Sequence, residues 1–156
     1  MIIQEDGNIK GYVKIYELPT DYTFEDFKNL RSRDGYLKDE GENLVVTLGI
    51  YTLLDCMLDI TAPTFYSQPG TSSTAVATTD TALNGAISPR VQAQDVYRVS
   101  NVAYFDTFYG KNDNAGTWAE AGLFVSLTGN MIAHKLVSFT KSTSNACVLS
   151  WQLTLT

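Results

Sequence analysis

The sequence has few of the side chains that usually carry chemistry. It contains one histidine and two cysteines, whereas a structural zinc site needs three or four His, Cys or carboxylate ligands. The single histidine, His134, has no Asp or Ser at a motif spacing, so a serine-hydrolase triad is not indicated. The sequence therefore favours a structural or interface role for His134, and we expect no metal, no cofactor and no enzymatic activity.

Positive charge is scarce as well. Lys and Arg together number 11 against 17 Asp and Glu, which gives a formal net charge of −6. Sequence-independent binding to DNA or RNA needs clustered Lys and Arg, and Asp34 and Asp39 dilute the one basic run, Lys28 to Arg33. Direct contact with nucleic acid is therefore not expected.

Long apolar runs are missing too. No stretch approaches the about 20 residues that span a bilayer, so no membrane partner is expected. Met1 to Ile3 lead directly into Gln4, Glu5 and Asp6, which is not the pattern of a secretory signal peptide and predicts use without Sec export. Without a secretion signal, Cys56 and Cys147 are predicted to be two buried thiols and not a disulfide.

The patterning that is present is that of a sheet protein. A length of 156 residues predicts one domain. Residues Cys147 to Thr156 alternate between apolar and polar side chains, which predicts a half-buried strand. Ile9 to Leu18 alternate in the same way, and Pro19 ends that strand. Residues 20–42 hold most of the clustered charge and are predicted to be a solvated excursion with a helical turn at Thr23 to Leu30.

One amphipathic helix is predicted within a strand–helix unit that covers residues 43–61. Thr47 is the expected N-cap, and Pro63 ends the segment. Apolar side chains recur at helical spacing and are expected to face the sheet. They are Ile50, Leu53, Leu54, Met57 and Ile60, whereas Thr52, Asp55 and Asp59 form the expected solvent-facing stripe.

Over residues 62–88 the composition shifts to Thr, Ser, Ala, Pro and Gly. Such a segment is either disordered or a loop held by contacts outside itself, and Leu83 and Ile87 are the expected anchors of that loop. Residues 89–156 then read as short strands separated by turns, and residues 112–116 as a hairpin turn. The predicted strands are Val91–Val99, Asn101–Tyr109, Leu123–Ser126 with Met131–Phe139, and Cys147–Thr156. The predicted fold is mainly β: an antiparallel, jelly-roll-like β-sandwich with one short α-helix and an N-terminal strand or arm.

Two acidic residues stand out as structural candidates. Asp80, with Thr78 and Thr81, can bond neighbouring backbone and hold a turn, while Leu83 can plug the core. Glu120 can accept hydrogen bonds from loop amides or pair with Arg90 or Arg98. A catalytic role for Glu120 is disfavoured, because no second acid or nucleophile accompanies it at a set spacing.

Aromatic side chains crowd the predicted sheet. Tyr104 and Phe105 are adjacent and must face opposite sides, as must Phe108 and Tyr109. That strand is therefore either central and covered or buried against a neighbouring subunit, with a carbohydrate-binding surface as the second reading. The resulting interface or structural candidates are Tyr104, Phe108, Tyr109, Trp118, Glu120, Asp80, Leu83 and Trp151.

An ordered set of motifs over residues 43–156 resembles a group of small tailed-bacteriophage virion structural proteins. The set comprises a strand leading into a helix, then the loop Ala77-Thr78-Thr79-Asp80-Thr81-Ala82-Leu83, then residues 115–124, Ala-Gly-Thr-Trp-Ala-Glu-Ala-Gly-Leu-Phe, and last the strand Leu149 to Thr154. The resemblance implies a non-enzymatic building unit of the virion, assembled in the bacterial cytoplasm.

Within that class, a capsid decoration or cement protein is favoured. Its expected partners are copies of itself, with a trimer favoured, and the major capsid protein or neighbouring virion proteins. A tail, collar or fibre-base component is the nearest alternative. A glycan- or receptor-binding module and a hydrolase built around His134 are the alternatives from other classes.

Overall fold

The computed structural model describes residues 9–58 and 63–156. This part of the chain is mainly β, as predicted, with two α-helices instead of one. Residues 1–8 of the predicted arm and Asp59 and Ile60 of the predicted helix lie outside the described residues. In chain order the elements are β1 Ile9–Leu18, α1 Phe24–Lys28, a 3-10 turn Asp34–Tyr36, β2 Leu37–Val45, α2 Thr47–Leu58, β3 Phe65–Gly70, β4 Val91–Gln92, β5 Asp95–Val99, β6 Val102–Tyr109, β7 Gly116–Val125, β8 Met131–Lys141 and β9 Ala146–Leu155.

The nine strands of the described residues form one antiparallel sheet in the order β4-β3-β7-β8-β2-β1-β9-β6-β5. Its edge strands, β4 and β5, are separated in the chain only by Ala93 and Gln94. The Ala93 amide donates to the Phe65 carbonyl at 2.9 Å, and the Gln94 amide donates to the Asp106 carbonyl at 2.9 Å. The segment 91–99 thus bonds both ends of the sheet, and the sheet is curled so that its two halves face each other.

The core lies between these halves and is built on large aromatic side chains. Trp118, Trp151 and Tyr109 are completely buried there. The Tyr109 and Trp118 rings from opposite halves meet edge to face at 5.1 Å, a favoured geometry for aromatic pairs. The Trp151 indole N–H donates to the Ser67 hydroxyl at 3.0 Å. These three candidate residues therefore stabilise the interior of the fold.

The charged excursion is not simply solvated, contrary to prediction, because part of it covers the outer face of the sheet. Helix α1 begins after a capping box in which the Thr23 hydroxyl accepts from the Asp26 amide and the Asp26 carboxylate accepts from the Thr23 amide. Phe27 of this helix is fully buried against β1 and β9. Phe24 lies 6.2 Å from Phe108, so the outer side of β6 is covered here by the same chain. The second half of the excursion forms β2.

The 62–88 segment contains a strand that was not predicted. Strand β3 pairs with β7 along its whole length, from Phe65 opposite Val125 to Gly70 opposite Glu120. The prediction of a loop or disorder is therefore wrong for Phe65–Gly70. Residues 71–86, after β3, run over the outer face of the sheet, and the Ile87 amide that follows donates to the Pro69 carbonyl at 2.8 Å.

The prediction of a hairpin turn at residues 112–116 is wrong, because the strands on either side, β6 and β7, are not neighbours in the sheet. Strand β6 pairs with β5 and β9, whereas β7 pairs with β3 and β8. The connection crosses from one half of the sheet to the other. The buried ammonium group of Lys141 holds it by donating to the carbonyls of Gly110 and Lys111 at 2.9 and 3.0 Å.

Helix α2 uses only part of the predicted face. Leu53 packs against the core, as predicted, but the closest approach is at Gly49, where a Cβ would lie 2.2 Å from the Ile132 carbonyl oxygen. Thr52, expected in solvent, is buried and donates to the Leu48 carbonyl at 2.8 Å. Ile50 and Leu54, expected to be buried, are 40% and 53% exposed. The close approach at Gly49 leaves Ile50 and Leu54 on the outward side of the helix, while Leu53 stays against the core.

The two cysteines are not joined in a disulfide, as predicted. Cys147 is completely buried in the core, and this burial raises the pKa of its thiol. Cys56 on α2 is only half-buried. Within residues 9–58 and 63–156, no helix is long and apolar enough to cross a membrane.

Candidate functional site

The candidate site lies on the outer face of strands β3, β7 and β8. Glu120 of β7 stands opposite Gly70 of β3, and His134 of β8 stands opposite Gly122 of β7. Both Glu120 and His134 are 0% exposed, although they point away from the aromatic core. They are buried because the loop that follows β3 folds over them.

Two glycines make room for this arrangement. A Cβ at Gly70 would lie 2.5 Å from the Glu120 Oε1 atom. A Cβ at Gly122 would lie 2.7 Å from the Phe124 ring and 3.1 Å from the Leu83 side chain. The sheet surface under the loop therefore carries no side chain at the two positions where the Glu120 carboxylate and Leu83 lie.

The central feature is an imidazole between two carboxylates. The His134 Nε2 atom lies 2.8 Å from the Glu120 Oε2 atom, and the His134 Nδ1 atom lies 2.7 Å from the Asp80 Oδ2 atom. Asp80 comes from the covering loop, and its side chain is 19% exposed. We call these three residues the clasp, because they join the loop to the sheet.

Glu120 also binds the backbone of the covering loop. The Gly85 amide donates to its Oε1 atom at 2.6 Å, and the Asn84 amide donates to its Oε2 atom at 3.2 Å. The prediction that Glu120 accepts from loop amides is confirmed. The alternative partners are engaged elsewhere: Arg90 donates to the Gly129 carbonyl, and Arg98 donates to the Ser100 carbonyl.

Asp80 holds its own turn as well as the histidine. Its carboxylate accepts from the Ala77 amide at 2.8 Å, and its amide donates to the Ala77 carbonyl at 3.0 Å. Partial burial acts to raise the pKa of Asp80, but the Ala77 amide and His134 outweigh it and lower that pKa. Asp80 therefore stabilises the fold above the ordinary carboxyl pKa of 3.8, and this contribution is lost as the pH falls through the lowered value.

The covering loop also reaches the helix and the outer apolar cluster. The Thr78 carbonyl accepts from the Thr47 amide at the first residue of α2, at 2.8 Å. Leu83 packs against a second, outer cluster that contains Val46, Phe124 and Met131. The clasp thus fixes a loop that in turn supports the start of α2.

The geometry of the clasp suits clamping better than proton transfer to a substrate. Each ring nitrogen faces a carboxylate oxygen, which accepts hydrogen bonds and cannot donate one unless it is protonated. Both contacts are satisfied when the imidazole carries two protons, or when one carboxyl carries a proton. In either case neither nitrogen of His134 is left to accept a proton from a substrate while the loop is closed.

The three clasp residues do not converge on a point where a metal ion could lie. The carboxylates of Asp80 and Glu120 bond opposite nitrogens of the ring. Among the described residues, no group of three or more His, Cys, Asp or Glu side chains has the geometry of a metal site.

The other candidates are spread over the molecule. Trp118, Tyr109 and Trp151 are in the core, and Phe108 lies under α1. Tyr104 stacks on Tyr97 with ring centroids 4.8 Å apart and an interplanar angle of 5°. Of the candidates, only Asp80, Glu120 and Leu83 belong to the clasp and its covering loop. The sequence did not predict that His134 pairs with Asp80 and Glu120, since these partners lie 54 and 14 residues away in the chain.

Comparisons of the chain with protein-family models, with curated proteins and with solved structures found no match. The arrangement itself defines the class: a mainly β protein with one curled antiparallel sheet, whose outer loop is held by a buried acid–histidine–acid clasp.

Proposed function

We propose that this chain is a non-enzymatic structural subunit of a tailed-bacteriophage virion, and specifically a capsid decoration or cement protein. The observation that carries the proposal is the outward-facing apolar stripe of α2. The motif resemblance over residues 43–156 supplies the virion context. A tail, collar or fibre-base position is the alternative within the same class.

The stripe is a continuous feature of one helix face. Ile50, Leu54 and Leu58 follow one another at a spacing of four residues and are 40%, 53% and 84% exposed, while Tyr51 beside them is 60% exposed. Scattered exposed apolar residues are normal, but a contiguous apolar stripe marks an interaction surface. Complete burial of a fully exposed side chain of this kind contributes about 1.5–3 kcal/mol, and the part still available here scales with the exposed fraction. Association with other subunits would recover this free energy.

The clasp supports an architectural role for the covered face. Its two carboxylates and its imidazole bond each other and the loop backbone, and the loop in turn bonds the first residue of α2. A helix that is held at its beginning presents its exposed face in one orientation. Such preorganisation lowers the entropic cost of binding a repeated lattice.

A cement protein acts by mass action. A subunit that binds the assembled shell but not the dissociated coat protein stabilises the shell, and the stabilisation grows with the ratio of its concentration to its dissociation constant. The proposal includes a trimeric arrangement and a jelly-roll-like sandwich. The two facing halves of the sheet support the sandwich.

Tyr97 and Tyr104 bear on the glycan-binding alternative. A sugar-binding platform needs exposed aromatic faces, whereas these two rings are parallel and cover each other at 4.8 Å. The pair therefore gives the glycan reading less support than the α2 stripe gives to a subunit interface.

The test uses the full chain, empty capsids from the same source and light scattering with and without them. We expect saturable binding and regular density over the shell by electron microscopy, and we expect Leu54→Glu to weaken binding at least tenfold. Val96→Glu is the control, because Val96 is 48% exposed and lies on edge strand β5 instead of on α2. Binding to tails or host glycans without binding to capsids would refute the cement proposal. Equal effects of the two variants would refute the role of α2.

A further inference from the structure

A recess lies at one end of the sheet, beside α2 and apart from the clasp. It has a volume of about 460 Å³, within the roughly 300–1,000 Å³ range of small-ligand pockets. Its lining is mixed, with apolar side chains from β1, β2 and α2 and with one amide. The lining includes Ile9, Gly11, Asn43, Val45 and Ile50, and Lys10 and Glu42 also border it.

Asn43 is the unusual member of this lining. Its Nδ2 and Oδ1 atoms are both buried, and neither makes a hydrogen bond within the part of the chain that the structure describes. The side chain lies over Gly11, its cross-strand partner, where a Cβ would lie only 1.3 Å from the Oδ1 atom. Glycine at position 11 is thus what allows the amide to lie there.

A buried amide with two unpaired polar atoms is uncommon in folded proteins. The Asn side chain offers a donor and an acceptor side by side in one plane. A carboxylate supplies only acceptors and an ammonium supplies only donors, so each leaves one atom of Asn43 unpaired. A second amide supplies both, in the same paired geometry with which Asn reads the donor–acceptor edge of adenine.

We propose that this recess is a binding site for an amide group attached to an apolar body. The amide pairs with the side chain of Asn43, and the apolar body packs against Ile9, Val45 and Ile50. A primary amide of a small molecule shares this chemistry with an extended peptide, in which the N–H and the C=O of one residue lie side by side. The proposal does not depend on the virion assignment, since it concerns binding by the isolated chain.

Nuclear magnetic resonance of the ¹⁵N-labelled full chain tests it, because the side-chain NH₂ signal of Asn43 reports directly on the proposed contact. The probes are hexanamide for the small-molecule source and N-acetyl-leucine N-methylamide for the peptide source. Hexanoate and hexylamine are matched controls that keep the apolar body and replace the amide. Asn43→Leu is the matched variant, since it keeps similar volume and removes the unpaired polar atoms; circular dichroism checks its fold.

We expect at least one amide probe to shift the Asn43 NH₂ and Gly11 signals saturably, with hexanoate and hexylamine at least about tenfold weaker. We expect Asn43→Leu to weaken binding of that probe at least about tenfold. Tighter binding of the blocked leucine assigns the site to a peptide segment, and tighter binding of hexanamide assigns it to a small molecule. The proposal is overturned if neither amide shifts these signals, if the acid or amine binds equally well, or if folded Asn43→Leu binds unchanged.

Discussion

Replacing Glu120 by alanine is the most direct test of the clasp. The Glu120 Oε2 atom lies 2.8 Å from His134 Nε2, and the carboxylate accepts from the amides of Gly85 and Asn84 at 2.6 and 3.2 Å. Glu120→Ala removes the acceptor for all of these groups in a place without solvent access. Breaking a buried ionic network by removing one partner costs about 3–5 kcal/mol, so we expect the free energy of unfolding to fall by about that amount.

Glu120→Gln is the informative companion, because glutamine keeps the shape and one carbonyl oxygen. That oxygen can still accept from Gly85, and the new NH₂ group can donate to a neutral His134, whose other nitrogen then donates to Asp80. The Asn84 amide, which donates to the Oε2 atom in the parent, loses its acceptor, and the remaining hydrogen bonds become uncharged and weaker. We therefore expect a loss of about 1–3 kcal/mol, smaller than that of Glu120→Ala. The ratio of the losses in unfolding free energy of the two variants therefore measures how much the clasp depends on satisfied hydrogen bonds.

Urea unfolding followed by tryptophan fluorescence measures these free energies, since Trp118 and Trp151 are both buried. Hydrogen exchange of the Gly85 amide reports locally, and we expect it to lose protection in Glu120→Ala first. Asp21→Ala is the control for removing an exposed carboxylate. If Glu120→Ala costs less than about 1 kcal/mol and the Gly85 amide stays protected, the clasp does not hold the loop.

Three further variants test separate parts of the structure. Gly70→Ala should cost about 1–3 kcal/mol in urea unfolding, because its Cβ would lie 2.5 Å from Glu120 Oε1; an unchanged midpoint would contradict the close approach. Phe27→Ala should cost about 3–5 kcal/mol, since the ring is fully buried; a loss below about 1 kcal/mol would show that the excursion is solvated after all. Burial raises the pKa of Asp106 above 3.8, although the Ser150 hydroxyl donates a hydrogen bond to its carboxylate. The protonated form of Asp106 therefore stabilises the fold at low pH, and this contribution is lost as the pH rises through the raised pKa. Asp106→Asn should therefore be at least as stable as the parent at neutral pH and less sensitive to pH in thermal melts, whereas a large loss at neutral pH would contradict the sign.

The strands with strict alternation could be predicted as strands because the pattern itself decides their conformation. The prediction that β9 is half-buried is wrong from Ala146 to Trp151, because α1 covers its outer side and both faces are buried there. β1 agrees with its predicted bounds, Ile9–Leu18, and β9 agrees to within one residue. β3 carried no such signal. Its buried positions are filled by Ser67, Gln68, Pro69 and Gly70, which read as a turn. It is a strand because β7 and the covering loop supply its hydrogen bonds.

The clasp could be predicted only in parts. Asp80 was predicted as a turn residue and Glu120 as an acceptor for loop amides, and local chemistry was sufficient for both. Their meeting at His134 depends on the register of β7 with β8 and on the path of the loop, neither of which has a signature in the spacing of these residues.

Helix α2 shows how a correct helix can have part of its face wrongly assigned. Amphipathic patterns assume that the largest apolar side chains make the contact, but here Gly49 approaches the backbone of Ile132 and Thr52 is buried beside it. Close approach through small residues gives a well-packed contact without using Leu54 or Leu58. The stripe that remains outside is then apolar surface without a role in the fold of the described residues. The proposed subunit interface would give this stripe a role, and Leu54→Glu tests it separately from folding. The variant should change association without disturbing the contact that Gly49 makes.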